Sequence, residues 1–545
     1  MKNKINNILR FFTLLFTDKD IEGALTQKEN EEKNIDSIPT MNDWGIQEDN
    51  FFPKSSNNDT NEDILIHIQP THVGPDKEEI DTKVLVSPPD KILHTLPELN
   101  ETENLHQWKK ETVWDMVDNK KTNEWEIILW MDISSQEVIS IEKSALKRHM
   151  LIIGMTGSGK TTMLEKMILQ DIDAGRGVWL IDPHGDLYDR ILKQIPKSRS
   201  NDVVLFDLTD TEYPIGFNIL ENTHHQFPSL IASSIVGVFK KIFGYSWGPR
   251  LEYVLRNATL TLLEHEWSTL LDLAMLLSDE NFRNNYLSKL KNPFLKKFWW
   301  DEFGNLSTSK QAEVVSPILN KVGQFLSVPL IRNIISQPLS GFSPRWIMDN
   351  KKIFLANLSK GKIGEDVSEM LGSMLVSKFQ LDVMSRANIT PESREQYSLY
   401  VDEFQNFATE SFADIFSEAR KYGLNLVIAH QYINQVNPAL MDAILGNVGN
   451  IALFHLWWSD AKLLAPNMSN DTSPSDISEQ PLYTFTLKTT HNNKKEVTQW
   501  RLVNPATTNT RSGFQNPEKI QTLVREKFAK KREFVESKLD KKFFE

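Results

Sequence analysis

Cysteine is absent from all 545 residues, which excludes disulfides and thiolate metal sites and fits a reducing interior. No apolar run reaches the roughly 20 residues needed to span a bilayer. The nearest approach, "NNILRFFTLLF" from Asn6 to Phe16, is too short and no small-residue cleavage site follows it. Residues 1–17 are therefore read as a short amphipathic helix, with a membrane-surface anchor as the other reading. An excess of positive charge is also missing, since 61 Lys and Arg face 73 Asp and Glu for a formal charge of −12. That excludes a generally basic nucleic-acid coat. It leaves room for a local basic groove, because the field that matters to a polyanion is local. These absences point to a cytoplasmic protein with no integral membrane span.

The length and the 40% hydrophobic content suit more than one folded domain. Residues 18–63 are acidic, Asn-rich and poor in periodic apolar positions, so they read as a disordered linker that cannot bury enough surface to offset chain entropy. Residues 64–147 hold short extended pieces such as "KVLVS" and "WEIILWMDI" and read as a small β-containing domain. From Met150 the texture changes. "MLIIG", "GVWLID" and "DVVLFDL" are buried-strand runs, with helical patterns between them. Strands alternating with helices imply an α/β fold with a parallel sheet covered on both faces, beginning with residues 148–222. Residues 223–343 carry helical period almost throughout and read as an all-α insertion. Strands resume in 344–510 with "KKIFLANL", "YSLYVDEF", "LNLVIAHQ" and "GNIALFHL", and 511–545 read as a helical, mixed-charge tail.

The stretch "HMLIIGMTGSGKTTMLEKMILQ" runs from His149 to Gln170. Gly154, Gly159, Lys160 and Thr161 fit the spacing G-x-x-x-x-G-K-[ST] of a phosphate-binding loop. The glycines let backbone N–H groups turn inward around phosphate oxygens, and the following helix adds its positive end. Gly154, Met155, Thr156, Gly157, Ser158, Gly159, Lys160, Thr161 and Thr162 are the candidate nucleotide-binding residues. Lys160 would reach the β- and γ-phosphates, and the Thr161 hydroxyl would join the shell of a Mg²⁺ ion. ATP and Mg²⁺ are thus the expected cofactors.

"SLYVDEF" ends an apolar strand in Asp402 and Glu403. An aspartate there can hold the Mg²⁺ shell, and the adjacent glutamate can polarise an attacking water. "LVIAHQ" ends the next strand in Gln431, at the carboxyl edge where a parallel sheet binds ligands, so Gln431 is a candidate sensor of γ-phosphate or water. His430 beside it reads as structural. In "IDPHGDL", Asp182, His184 and Asp186 imitate the opening of a metallophosphoesterase site, but the further ligand motifs are missing. These residues read instead as lining the nucleotide site or an interface.

Taken together, "GMTGSGKTT", "LIDPHGDL", "WGPRLEYVLRNA", "IFLANLSKGKIGED", "LYVDEFQNF", "SEARKYGLNLVIAHQ" and "GNVGNIALF" resemble the HerA/FtsK superfamily of ring-forming ATPases. The resemblance is strongest to the conjugative coupling proteins of type IV secretion, the TraG/TraD group, and covers roughly Met150 to Leu464. It implies a RecA-like motor with an all-α insertion, assembled as a homohexamer around a channel and moving DNA by ATP hydrolysis. Relaxase or secretion-channel proteins would be its partners, and the inner face of the membrane a peripheral location. The related motors carry an arginine after the Asp-Glu pair that reaches the neighbour's nucleotide. Arg420 in "SEARKYG" occupies that place, with Arg250 in "WGPRLEY" second. This chain departs from the pattern in two ways. Coupling proteins usually begin with transmembrane helices, and "FHLWW" (Phe454 to Trp458) stands where relatives often show "FR-hydrophobic-G". Two other functions fit the same motor: a HerA-type ATPase working with a nuclease in DNA processing or phage defence, and a protein-export ATPase or scaffold that moves no DNA. Any DNA contact is expected to be phosphate-dominated, independent of sequence and salt-sensitive.

Overall fold

The structure, a computed structural model, describes residues 126–131, 138–221, 228–244, 247–409, 412–491, 494–501 and 515–544. The helix expected over residues 1–17, the linker expected over 18–63 and most of the 64–147 segment, "KVLVS" included, lie outside these residues. The described residues all belong to one unit of the chain. Its first elements are β1 (Glu126–Met131) and β2 (Val138–Glu142), an antiparallel pair.

Nine further strands make one sheet: β3 (Met150–Ile153), β4 (Gly177–Asp182), β5 (Val203–Asp207), β6 (Ile353–Asn357), β7 (Tyr397–Val401), β8 (Leu424–His430), β9 (Asn450–Leu453), β10 (Thr484–His491) and β11 (Lys494–Arg501). Their spatial order is β11-β10-β9-β3-β8-β7-β4-β6-β5. The seven strands from β9 to β5 run parallel, and β10–β11 is an antiparallel hairpin added on the β9 side. The parallel strands are continuous apolar runs because helices cover both faces, so no alternate position meets water.

The helices that matter for the site are α1 (Lys160–Asp173), α2 (Asp186–Leu192), α3 (Pro228–Phe243), α4 (Pro249–Leu263), α5 (Leu270–Ser278), α6 (Thr308–Leu326), α7 (Glu365–Met384), α8 (Phe412–Glu418), α9 (Pro438–Asn447), α10 (Trp458–Met468), α11 (Pro517–Phe528) and α12 (Arg532–Phe544). Between β5 and β6 the described residues are helical or irregular, with no strand. Helix α3 starts this stretch and packs on both α4 and α7. Buried residues surround α7, since α3 covers one side while Phe379 reaches the sheet at Trp179, ring centroids 4.4 Å apart. At its middle, a side chain on Gly372 would collide with the Phe407 ring, so α7 approaches the loop after β7 closely. Thr269 and Asp272 form a capping box that starts α5, and the buried Asp272 carboxylate also pairs with Lys542 of α12 at 2.7 Å. The C-terminal tail is thereby fastened to the helical insertion. Among the described residues, no single helix is long and apolar enough to cross a membrane.

Candidate functional site: a phosphate loop at the sheet edge

Strand β3 ends where the chain must turn sharply, and the loop residues are those that permit it. Gly157 (φ 79°) and Gly159 (φ 119°) occupy the left-handed region that favours glycine. Gly154 is required for a different reason, since a Cβ there would lie 2.5 Å from Phe454 Cβ. The segment after β9 supports the loop from below: Phe454 N donates to Ile153 O (2.8 Å) and Met155 N to His455 O (3.0 Å). Thr156 and Gly157 are exposed at the tip, while Ser158, Gly159 and Lys160 are buried. Helix α1 then begins at Lys160 with Gly159 as its cap, so its free N–H groups face the loop. Lys160 Nζ donates to the carbonyls of Gly154 (2.5 Å) and Met155 (3.0 Å). Burial lowers its pKa, opposed by Asp402 and Glu403.

Because β8 and β7 follow β3 in the sheet, Gln431 and the pair Asp402–Glu403 arrive at the same edge. Thr161 Oγ1 donates to Asp402 Oδ2 at 3.3 Å, so the hydroxyl and the carboxylate form one polar corner. Asp402 is buried, and burial, with Asp182 nearby, pushes its carboxyl up to about 6 against the pull of Lys160. Among the described residues no group of three or more Asp, Glu or His stands ready to cage a metal ion. A corner of one hydroxyl and one carboxylate suits Mg²⁺, which keeps waters and phosphate oxygens as its other ligands. Asp182 faces other duties, accepting the backbone N–H of His184 and of Tyr188, each at 2.9 Å. Both of its oxygens are thereby engaged at the turn that leads into α2.

Glu403 is the most heavily engaged group at this edge. It sits in the left-handed region (φ 46°, ψ 52°), a strained position for a non-glycine residue, of the kind that concentrates at functional sites. Gln431 Nε2 donates to its Oε1 at 2.6 Å, and His184 Nε2 reaches the same oxygen at 3.2 Å. Asn406 Nδ2 (3.3 Å) and Lys360 Nζ (3.5 Å) hold Oε2. The His184 hydrogen bond is the main reason its carboxyl falls to about 2, and Glu403 in turn raises His184. The carboxylate is thus ionised and aimed, a condition for orienting a water.

The structure brings together Gly154 to Thr162, Asp402, Glu403 and Gln431, and joins three groups to Glu403: His184, already read as lining the nucleotide site or an interface, and Lys360 and Asn406, whose roles the motifs did not give. All three lie inside "LIDPHGDL", "IFLANLSKGKIGED" and "LYVDEFQNF", but the convergence on Glu403 depends on strand order. A fourth addition comes from the helical insertion. Lys241 of α3 donates to the carbonyl of Asn406, with the Gln405 carbonyl and Ser373 Oγ each at 3.5 Å. Burial takes this amine down to about 8. His430 is fully buried, its Nδ1 bonded to Tyr432 O (3.2 Å).

Arg420 is not brought to this site. It lies in the turn Ala419–Tyr422 just before β8, exposed, at the amino end of the strand whose carboxyl end leads to Gln431. Seven strand residues separate the two ends, a span of ~20 Å at ~3.3 Å per residue. Arg250, at the start of α4, is exposed as well.

Residues 134–454 match the family described as the type IV secretion-system coupling protein DNA-binding domain. The match covers more than half of the chain. The chain belongs to this family. Within it, the "Type 4 coupling protein DotL" of Legionella pneumophila subsp. pneumophila is 23% identical over 362 residues, 55% of this chain and 46% of DotL. The chain therefore spans about half the length of that curated relative. Among solved structures, the bacterial conjugative coupling protein TrwB, lacking its first 70 residues, superposes with a TM-score of 0.50 at 15% identity, covering 73% of this chain and 93% of that one. It shares the α/β fold of the coupling-protein core. VirB4 of Thermoanaerobacter pseudethanolicus is also similar, with a TM-score of 0.45 at 15% identity over 71% of this chain and 98% of that one.

Proposed function

We propose that this member of the coupling-protein family is an ATP-hydrolysing motor subunit that moves DNA toward a type IV secretion channel. The observation that carries this reading is the convergence on one sheet edge of the Lys160 loop, the Thr161–Asp402 corner and a Glu403 held by Gln431. In this reading Gly154 to Thr162 wrap the phosphates and Lys160 bridges the β- and γ-phosphates. Thr161 and Asp402 hold Mg²⁺, which supplies charge neutralisation on the phosphate oxygens. Glu403 orients and polarises the attacking water, and Gln431 links that carboxylate to the terminal phosphate. Among the described residues no arginine contacts this site, and Arg420 would be contributed by the next copy in a homohexameric ring. Such an arginine stabilises charge on the transferring phosphoryl group and makes turnover depend on assembly. DNA would be gripped through its phosphates without sequence preference, and relaxase or secretion-channel proteins would dock the motor at the inner face of the membrane.

The test is ATP turnover with and without DNA, with particle mass measured in the same sample. Turnover that rises with DNA and tracks a hexameric particle is the expected result. Turnover indifferent to DNA at every salt concentration would favour an ATPase that exports protein, and absence of turnover with Mg²⁺ and DNA would refute the motor reading.

A further inference from the structure

We propose that the base of the bound nucleotide stacks on Tyr483, at a turn that the fold ties to the phosphate loop. This inference rests on the nucleotide reading above and adds the part of the ligand that reading leaves unplaced. Glu403, Gln431 and His184 come from β7, β8 and β4, all on one side of β3 in the sheet. The γ-phosphate must face that side. The nucleoside then leaves on the other side, over β9 and β10.

Hydrogen bonds build that side into the loop. Strand β10 runs antiparallel to β9, pairing Thr486 with Leu453, so its beginning stands at the same edge as the end of β3. Tyr483 immediately precedes β10 and donates its N–H to the carbonyl of Ser158, inside the phosphate loop, at 3.0 Å. Gln480 Nε2 donates to Leu453 O (2.8 Å), and His455 Nδ1 lies 3.2 Å from Gln480 O. The turn is therefore locked to the loop and to the strand beside it.

Tyr483 has φ 62°, in the left-handed region that an aromatic residue rarely occupies. Glycine would make this turn without strain, so the backbone does not explain the ring. Tyr483 is partly buried with its side chain packed against the edge of the hydrophobic core, and the next residue back, Leu482, is 58% exposed. An aromatic residue and an aliphatic neighbour beside a phosphate loop offer what a purine needs, a stacking surface. The exposed Trp457 and Trp458, on the segment after β9, are further aromatic groups on this side among the described residues.

The positive φ supplies a clean test, because Tyr483→Gly removes the ring while suiting the backbone. Binding of Mg·ADP and of Mg·pyrophosphate is measured by calorimetry, since the two share phosphates and differ by the nucleoside. Tyr483→Gly should weaken ADP about tenfold, within the range of a base–aromatic stack, and leave pyrophosphate within about twofold. Tyr483→Phe should bind ADP like the wild type. Equal weakening of ADP and pyrophosphate would mean that Tyr483 only braces the loop, and unchanged ADP binding would mean that the base lies elsewhere. A base-selective loss in Trp457→Ala, but not in Tyr483→Gly, would overturn the assignment in favour of the tryptophan. A wild type that binds neither ligand, or a Lys160→Ala variant that binds both normally, would instead bring down the nucleotide reading itself.

Discussion

At the scale of single residues, the site's polar contacts converge on Glu403. Replacing it with glutamine keeps the size and the contact with Gln431 but removes the charge proposed to polarise water. Glu403→Gln should bind ATP normally and hydrolyse it at least about 100-fold more slowly, the usual scale for an acid–base group. Near-normal turnover in single-turnover assays would remove Glu403 from that role. Two histidines set a second prediction. Leu426 N donates to His149 Nδ1 at 3.1 Å, and His430 is buried against the loop that follows β8. Burial lowers both to about 4 from the usual 6.5. The unfolded chain binds these protons below pH 6.5, whereas the native state refuses them until about pH 4. Their contribution is therefore complete above 6.5 and is lost as pH falls through that window, by about 3 kcal/mol each at most. Denaturant midpoints should fall between pH 6.5 and 4, and the double variant His149→Gln, His430→Gln should lose much of that slope. An equal slope in both proteins would assign the acid sensitivity elsewhere.

At the scale of elements, the parallel strands were readable because burial on both faces leaves continuous apolar runs, as in "GVWLID". The β10–β11 hairpin gives a weaker signal. Thr484–His491 and Lys494–Arg501 mix threonine, lysine and glutamine with few apolar residues, and neither run stands out beside "LNLVIAH". The same contrast holds in the site. Lys160 and Thr161 are legible since their partners are a few residues away. His184 meets Glu403 only because β4 and β7 are neighbours in the sheet, a pairing that no local pattern encodes. Lys241 is the extreme case, an insertion residue whose amine holds the backbone of the turn that carries Asn406. That contact links α3 to Glu403 through Asn406. Lys241→Met should lower turnover up to about tenfold while ATP affinity changes less than about twofold, since the phosphates are held by other elements. Unchanged turnover would leave the contact a matter of packing alone.

At the scale of the whole molecule, the parallel sheet has two distinct ends. Turnover by Arg420→Ala should be poor despite near-normal ATP binding, and mixing it with Lys160→Ala should recover activity in shared rings, verified by co-purification of two tags. Shared rings without recovery would return Arg420 to a structural role in its turn. DNA affinity should fall linearly in log K against log salt, as counterion release requires, and a flat response would contradict a phosphate-held channel. The separation of Arg420 from Gln431 along β8 also restricts which assemblies can work at all. A two-fold pair joins residue i to j and j to i, so it could serve both sites only if one interface spanned both ends of β8. Such a pair would be complete at two copies. If Arg420 serves a neighbour's site as proposed, head-to-tail association repeated until it closes would give every nucleotide a neighbour's arginine. In an unclosed row, the subunit at one end would be idle however much ATP was supplied.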